Sequence, residues 1–146
     1  MYRLRDGALE VLLLHPGGPY WQKKDDGAWS IAKGEFGDDE TPADAARREF
    51  AEETGFALDG ELQPLTPVRQ RSGKVIHPYA IAGDVDAAAL QSNTFALEWP
   101  PRSGTLREFP EMDRAAWFTL GEAQRKIIAG QRPILDELAR LLGVTP

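Results

Sequence analysis

One stretch, GEFGDDETPADAARREFAEETGF from Gly34 to Phe56, constrains this chain more than any other. Within it Glu49, Glu52 and Glu53 stand at spacings i, i+3 and i+4. On a helix those spacings put the three side chains on one face. Three carboxylates so placed repel one another unless positive charge lies among them. A hard divalent cation, Mg2+ or Mn2+, suits such a group of oxygens. The plainer reading of a charge run is a solvated helix face. The feature points to a metal site built on a helix, and hence to chemistry on phosphate.

The helix carries its own punctuation. Thr41 is a good N-cap, Pro42 suits the first helical position, and Asp44 supports a capping box. Phe50 with Ala45, Ala46 and Ala51 gives a narrow apolar side, and Gly55 stands where a C-terminal glycine belongs. Elsewhere, Ala8 to Leu14 reads as a buried strand, broken by His15-Pro16-Gly17-Gly18-Pro19. Trp29 to Ala32 reads as a short strand running into Lys33-Gly34. Further strands are expected over Lys74 to Val85, with a proline interruption, over Thr94 to Trp99 and over Ala115 to Phe118. Thr119 and Glu122 predict a capping box for a second helix ending at Gly130. Pro133 opens a third helix, with Ile134, Leu135, Leu138, Leu141 and Leu142 at helical period and Gly143 as its stop. Helices interspersed among short strands predict an α/β fold, a mixed sheet with helices against its faces.

The 146 residues favour a single domain spanning residues 1–146, long enough for a core without staples. There is no cysteine, which excludes disulfides, zinc–thiolate sites and thiol catalysis. The short apolar run from Val11 to Leu14 predicts neither a signal peptide nor a membrane span, so a cytoplasmic protein is expected. A net charge of −6 argues against general nucleic-acid binding, which rests on Lys and Arg contacts to phosphate.

The stretch has a wider grammar than its glutamates. Gly34, Glu40, Arg48-Glu49, apolar Phe50, Glu52-Glu53, Gly55 and apolar Phe56 match G-x5-E-x7-R-E-U-x-E-E-x-G-U, U being apolar. This resembles the signature of the Nudix hydrolases, and every fixed position is met. The resemblance implies an α/β/α sandwich with a mixed sheet, in which the signature forms a loop–helix–loop. It implies hydrolysis of nucleoside diphosphates linked to another moiety X, with water attacking phosphorus and Mg2+ (Mn2+ as a substitute) as cofactor. In those terms Gly34, Glu49, Glu52 and Glu53 are expected metal ligands, and Glu52 or Glu53 the general base. Glu40 and Arg48 are expected to hold the ligands in place. A further carboxylate is expected ahead of the last strand: Glu111 is favoured by its spacing from Trp117, with Glu98 and Glu108 as alternatives. Two features depart from the family pattern. Ala32 stands near the glycine turn where proline is usual, and little chain precedes Tyr2, so that either the sheet edge is shorter or Tyr2 to Arg5 supplies it.

The substrate is less legible. Lys33, next to Gly34, and Arg102, in the loop Pro100-Pro101-Arg102-Ser103-Gly104, are the candidate phosphate contacts. In the loop after the first strand, near His15, Tyr20, Trp21, Lys23 and Lys24, an aromatic could stack on a base and a lysine meet phosphate. The plainer reading takes Trp21 and Trp29 as core aromatics. Arg69, Arg71 and Lys74 form a second basic cluster that reads more plainly as a solvated hairpin turn. His77, which could face the cleft, reads first as a structural histidine. A small nucleotide is the expected partner, with no nucleic acid, no membrane and a homodimer as an option. Two other classes compete. Isomerisation of isopentenyl diphosphate, known on this fold, usually needs the cysteine this chain lacks. A non-catalytic, nucleotide-binding regulatory domain usually loses signature glutamates, which this chain keeps.

Overall fold

A computed structural model of the chain describes residues 1–33 and 38–144. In chain order its elements are β1 (Tyr2–Arg5), β2 (Ala8–Pro16), α1 (Pro42–Thr54) and four two-residue strands, β3 (Gln63–Pro64), β4 (Val68–Arg69), β5 (Val75–Ile76) and β6 (Tyr79–Ala80). Then come β7 (Thr94–Glu98), β8 (Leu106–Pro110), β9 (Met112–Thr119), α2 (Leu120–Lys126) and α3 (Arg132–Leu142).

The central sheet runs β1-β2-β9, antiparallel throughout. Asp6 and Gly7, at φ 52 and 79, close the first hairpin, with Arg5 opposite Ala8. A two-residue Asp-Gly turn with both φ positive matches the twist of the strands it joins. Tyr2 to Arg5 therefore does supply the edge. Beyond it Tyr2 N–H donates to Ile81 O and Gly83 N–H to Tyr2 O, each at 3.0 Å, in a parallel bridge. That isolated bridge adds a parallel pairing beside the antiparallel strands.

β2 is apolar on both faces because both are covered. Leu9, Val11 and Leu13 face a core shared with Leu120 and Ala123 of α2 and Ile134, Leu135, Leu138 and Ala139 of α3. Burying each large side chain contributes about 1.5–3 kcal/mol. By alternation Leu12 and Leu14 face the other way, towards the side where Ala45 and Phe50 of α1 are buried. This is the α/β/α layering.

The helix ends follow the local chemistry. Asp44 N–H donates to Thr41 Oγ1 at 3.1 Å, and Gly55 takes φ 80 as C-cap of α1. The Thr119–Glu122 capping box forms on α2, and Gly143, at φ 65, caps α3. Several elements differ from expectation: Lys74 to Val85 forms only the two-residue β5 and β6, and Trp29 and Ser30 make isolated bridges in place of a strand. α2 stops at Lys126, not Gly130, because the following backbone turns extended and pairs with Trp29: Ile128 N–H donates to Trp29 O at 2.8 Å. The segment around Glu108 is a strand, β8, in antiparallel register with β7 from Thr94↔Pro110 to Glu98↔Leu106. Among the described residues no helix is long and apolar enough to cross a membrane.

Candidate active site

Helix α1 carries the acidic face, and Arg48 is its organiser. The guanidinium grips Glu40 with two bonds, Nε to Oε2 at 2.8 Å and Nη2 to Oε1 at 2.9 Å. Its Nη1 donates to Glu49 Oε1 at 2.7 Å and to Glu52 Oε2 at 3.2 Å. A planar fork with fixed donors suits this task as a lysine would not. Hydrogen bonds donated to Glu40 and Glu49 hold the guanidinium pKa well above its ordinary value. Arg48 and Glu40, expected to hold the ligands in place, are thus joined to each other by two hydrogen bonds.

Glu53 is placed differently. It is 4% exposed, and its Oε2 accepts the backbone N–H of Lys33 at 2.8 Å. Burial pushes its pKa up to about 8, against the Lys33 hydrogen bond and charge, and Glu49 and Glu111 add like-charge repulsion. Glu111 itself is exposed, in the turn after β8, and its main chain is tied towards α1. A chain of backbone hydrogen bonds makes the tie. Asn93 N–H donates to Glu52 O at 2.8 Å, and Glu111 N–H donates to Asn93 O at 2.8 Å.

The remaining candidates scatter. Glu108 is exposed on β8 opposite Ala96, and Glu98 is exposed at the end of β7 opposite Leu106. Arg102, at φ 63, sits in the β7–β8 turn. That turn lies at the end of the hairpin away from Glu111, roughly 14 Å along the strands. Gly34 lies outside the described residues.

Among the described residues no three His, Asp or Glu side chains stand close enough together to hold a metal ion as they are. The donor set nonetheless fits a hard cation. It offers oxygens only, on one helix face, and Glu53 is a buried carboxylate whose hydrogen bond comes from a neutral backbone group. Glu49 and Glu52 would have to swing off Arg48 to join it. Arg48 would stay anchored through Glu40 while they did so.

Beside this face lies a cavity of about 380 Å³. Its lining includes Lys33, Glu49, Leu12, Leu14, Phe50, His77 and Tyr79, and extends to Ile134, Leu135 and Leu138 of α3. Its volume falls in the range of small-molecule sites. The sequence carries no signal for such a cavity, because its walls come from segments far apart in the chain. His77, read as structural, is exposed and lines it. Trp29 is buried at 4% as read, whereas Trp21 is 41% exposed, out on the loop after β2 with the Lys24 ammonium 5.5 Å from its ring. Arg69, Arg71 and Lys74 do lie at a hairpin, β4–β5, where Gln70 N–H donates to Lys74 O at 2.7 Å.

Comparison with known proteins identifies the family. No curated protein matches the chain. Among solved structures, that of the E. coli ORF135 protein is 26% identical, covering 99% of this chain and 89% of that one, with a TM-score of 0.55. The NUDIX domain of Shewanella oneidensis NrtR, complexed with ADP ribose, has a TM-score of 0.64 over 97% of this chain and 82% of that one. At 18% identity it speaks for the fold alone. The family model of the NUDIX domain matches residues 1–138, and the chain belongs to that family.

Proposed function

We propose that this protein hydrolyses the pyrophosphate link of a nucleoside diphosphate joined to a further moiety, using Mg2+ held on α1. The observation that carries the reading is the Arg48-organised face of Glu49, Glu52 and buried Glu53, with the main chain of Glu111 tied towards it. Glu49, Glu52, Glu53 and Glu111 are the side chains that would hold the metal, with the carbonyl of Gly34. A bound divalent cation would neutralise phosphoryl oxygens and lower the pKa of the attacking water.

The chain's own groups do the rest. Lys33, in the lining of the cavity, meets substrate phosphate, and Arg102 is a second contact if its hairpin turn folds towards the site. The apolar walls receive the uncharged part of the nucleotide and exclude water from it. Glu52, half-exposed, reaches solvent and takes the proton of the attacking water. Glu53, tied to Lys33 N–H, fixes the loop ahead of α1 to its last turn. The partner is a small nucleotide in a cytoplasmic setting.

A panel of nucleoside triphosphates, dinucleoside polyphosphates and ADP-ribose, incubated with Mg2+, tests this reading. Release of phosphate or nucleoside monophosphate is expected from at least one compound, and its collapse in Glu52→Gln and Glu53→Gln. Full activity in both variants would overturn the assignment. A second reading has its own support, since Arg48 already occupies Glu49 and Glu52. It holds that the domain binds a nucleotide without cleaving it. Tight binding of a panel member with no turnover at any metal concentration would favour it.

A further inference from the structure

Glu111 lies in the turn between β8 and β9, far from α1 in sequence, and the two are joined by residues 91–93. Gln91 N–H donates to Thr54 O at 2.9 Å, and Asn93 N–H donates to Glu52 O at 2.8 Å. These are carbonyls of the last turn of α1, which has no donors of its own to satisfy them. On its other side the segment continues the β7–β8 ladder. Asn93 O accepts Glu111 N–H, and the Ser92 hydroxyl then takes the place of main chain. It accepts Met112 N–H at 3.1 Å, and its single proton lies within reach of both Met112 O at 3.0 Å and Asn93 O at 2.9 Å. Gly55 is fitted to the same contact: a Cβ there would lie 2.8 Å from Gln91 O. From the far side Gly17 N–H donates to Glu111 O at 2.8 Å, and a Cβ on Gly17 would fall 2.0 Å from Pro110 O.

We infer that Ser92 is a positioning residue, the hinge pin of a strut over residues 91–93 that holds the Glu111 carboxylate against the metal face of α1. The inference rests on the reading of α1 as the metal helix. Ser92 touches neither metal nor substrate. It holds Met112 N–H and shares its proton between Met112 O and Asn93 O, joining the two sides of the strut, and so sets the direction in which the preceding residue, Glu111, leaves the turn.

Mn2+ affinity, measured by electron paramagnetic resonance on the full chain, separates this role from plain stabilisation. Removing a group that orients a ligand typically weakens metal binding about 10- to 100-fold. Ser92→Ala and Glu111→Gln should each weaken Mn2+ binding to that degree, while Ser92→Thr, which keeps the hydroxyl, should stay near wild type. Because Ser92 acts through Glu111, Ser92→Ala should add no further loss in a Glu111→Gln background. Wild-type affinity in Ser92→Ala or in Glu111→Gln, or fully additive losses in the double variant, would overturn the strut. Glu52→Gln distinguishes the two levels. If it loses Mn2+ while Ser92→Ala and Glu111→Gln do not, only the strut fails. If it binds Mn2+ like wild type, the metal-helix reading fails with it.

Discussion

Raising the pH should destabilise the metal-free protein, and Glu53→Gln should remove most of that loss. In the folded chain burial lifts the Glu53 pKa from 4.5 to about 8. Between those values the folded state keeps a proton that the unfolded state has released. Stability falls with pH wherever the folded state binds more protons, so it declines through this window and levels off above about pH 8. At about 1.4 kcal/mol for each tenfold in proton affinity, the ceiling is about 5 kcal/mol. Local relaxation and water entry reduce the expected loss to about 2–4 kcal/mol. Glutamine is neutral at every pH, has nearly the same shape, and can still accept Lys33 N–H through its amide oxygen. Urea unfolding in the presence of a chelator, at about pH 5.5 and about pH 8.5, reads the difference. Wild type should lose stability across that interval and Glu53→Gln should stay nearly flat, ending as the more stable of the two at high pH. Equal slopes in the two proteins would refute the claim that burial of this carboxylate is what the fold works against.

Three other substitutions probe the surrounding geometry. Arg48→Lys keeps the charge but loses the two-bond grip on Glu40, so kcat/KM should drop about 10- to 100-fold with the fold retained; wild-type kinetics would contradict the clamp. Gly55→Ala forces a side chain into φ 80 against Gln91. It should cost at least about 1–2 kcal/mol in urea unfolding, and a negligible loss would mean the strut yields freely. Thr119→Val removes the hydroxyl that accepts Glu122 N–H at the start of α2. A fall of about 1 kcal/mol is expected from the lost cap, and an unchanged urea midpoint would show that packing alone holds the helix.

The parts legible in the sequence are those governed by local chemistry. Thr41, Pro42 and Gly55 mark the ends of α1 without help from the rest of the chain, and the i, i+3, i+4 spacing puts its glutamates on one face. Asp6-Gly7 is an equally local hairpin signal for the first two strands, and the sequence reading passed over it. What sequence reading missed is set by pairing at long range. α2 gives way at Lys126 because its next residues pair with Trp29, and the Glu108 segment becomes a strand because β7 lies alongside it. The same holds for the site. Arg48, Glu40 and Glu49 could be joined on paper, whereas the route to Glu111 runs through residues 91–93, whose Ser and Asn look like ordinary loop residues. The cavity beside Glu49 was illegible for the same reason, since its walls converge only in the folded chain.

The central claim is that the carboxylates of α1 hold the divalent cation that pyrophosphate hydrolysis needs. The most direct measurement is an anomalous-difference map from crystals grown with Mn2+. The account predicts density at the oxygens of Glu49, Glu52 and Glu53, with Arg48 withdrawn from Glu49 and Glu52 but still paired with Glu40. Manganese bound away from α1, or none bound by a protein that turns over its substrate in the same buffer, would contradict it.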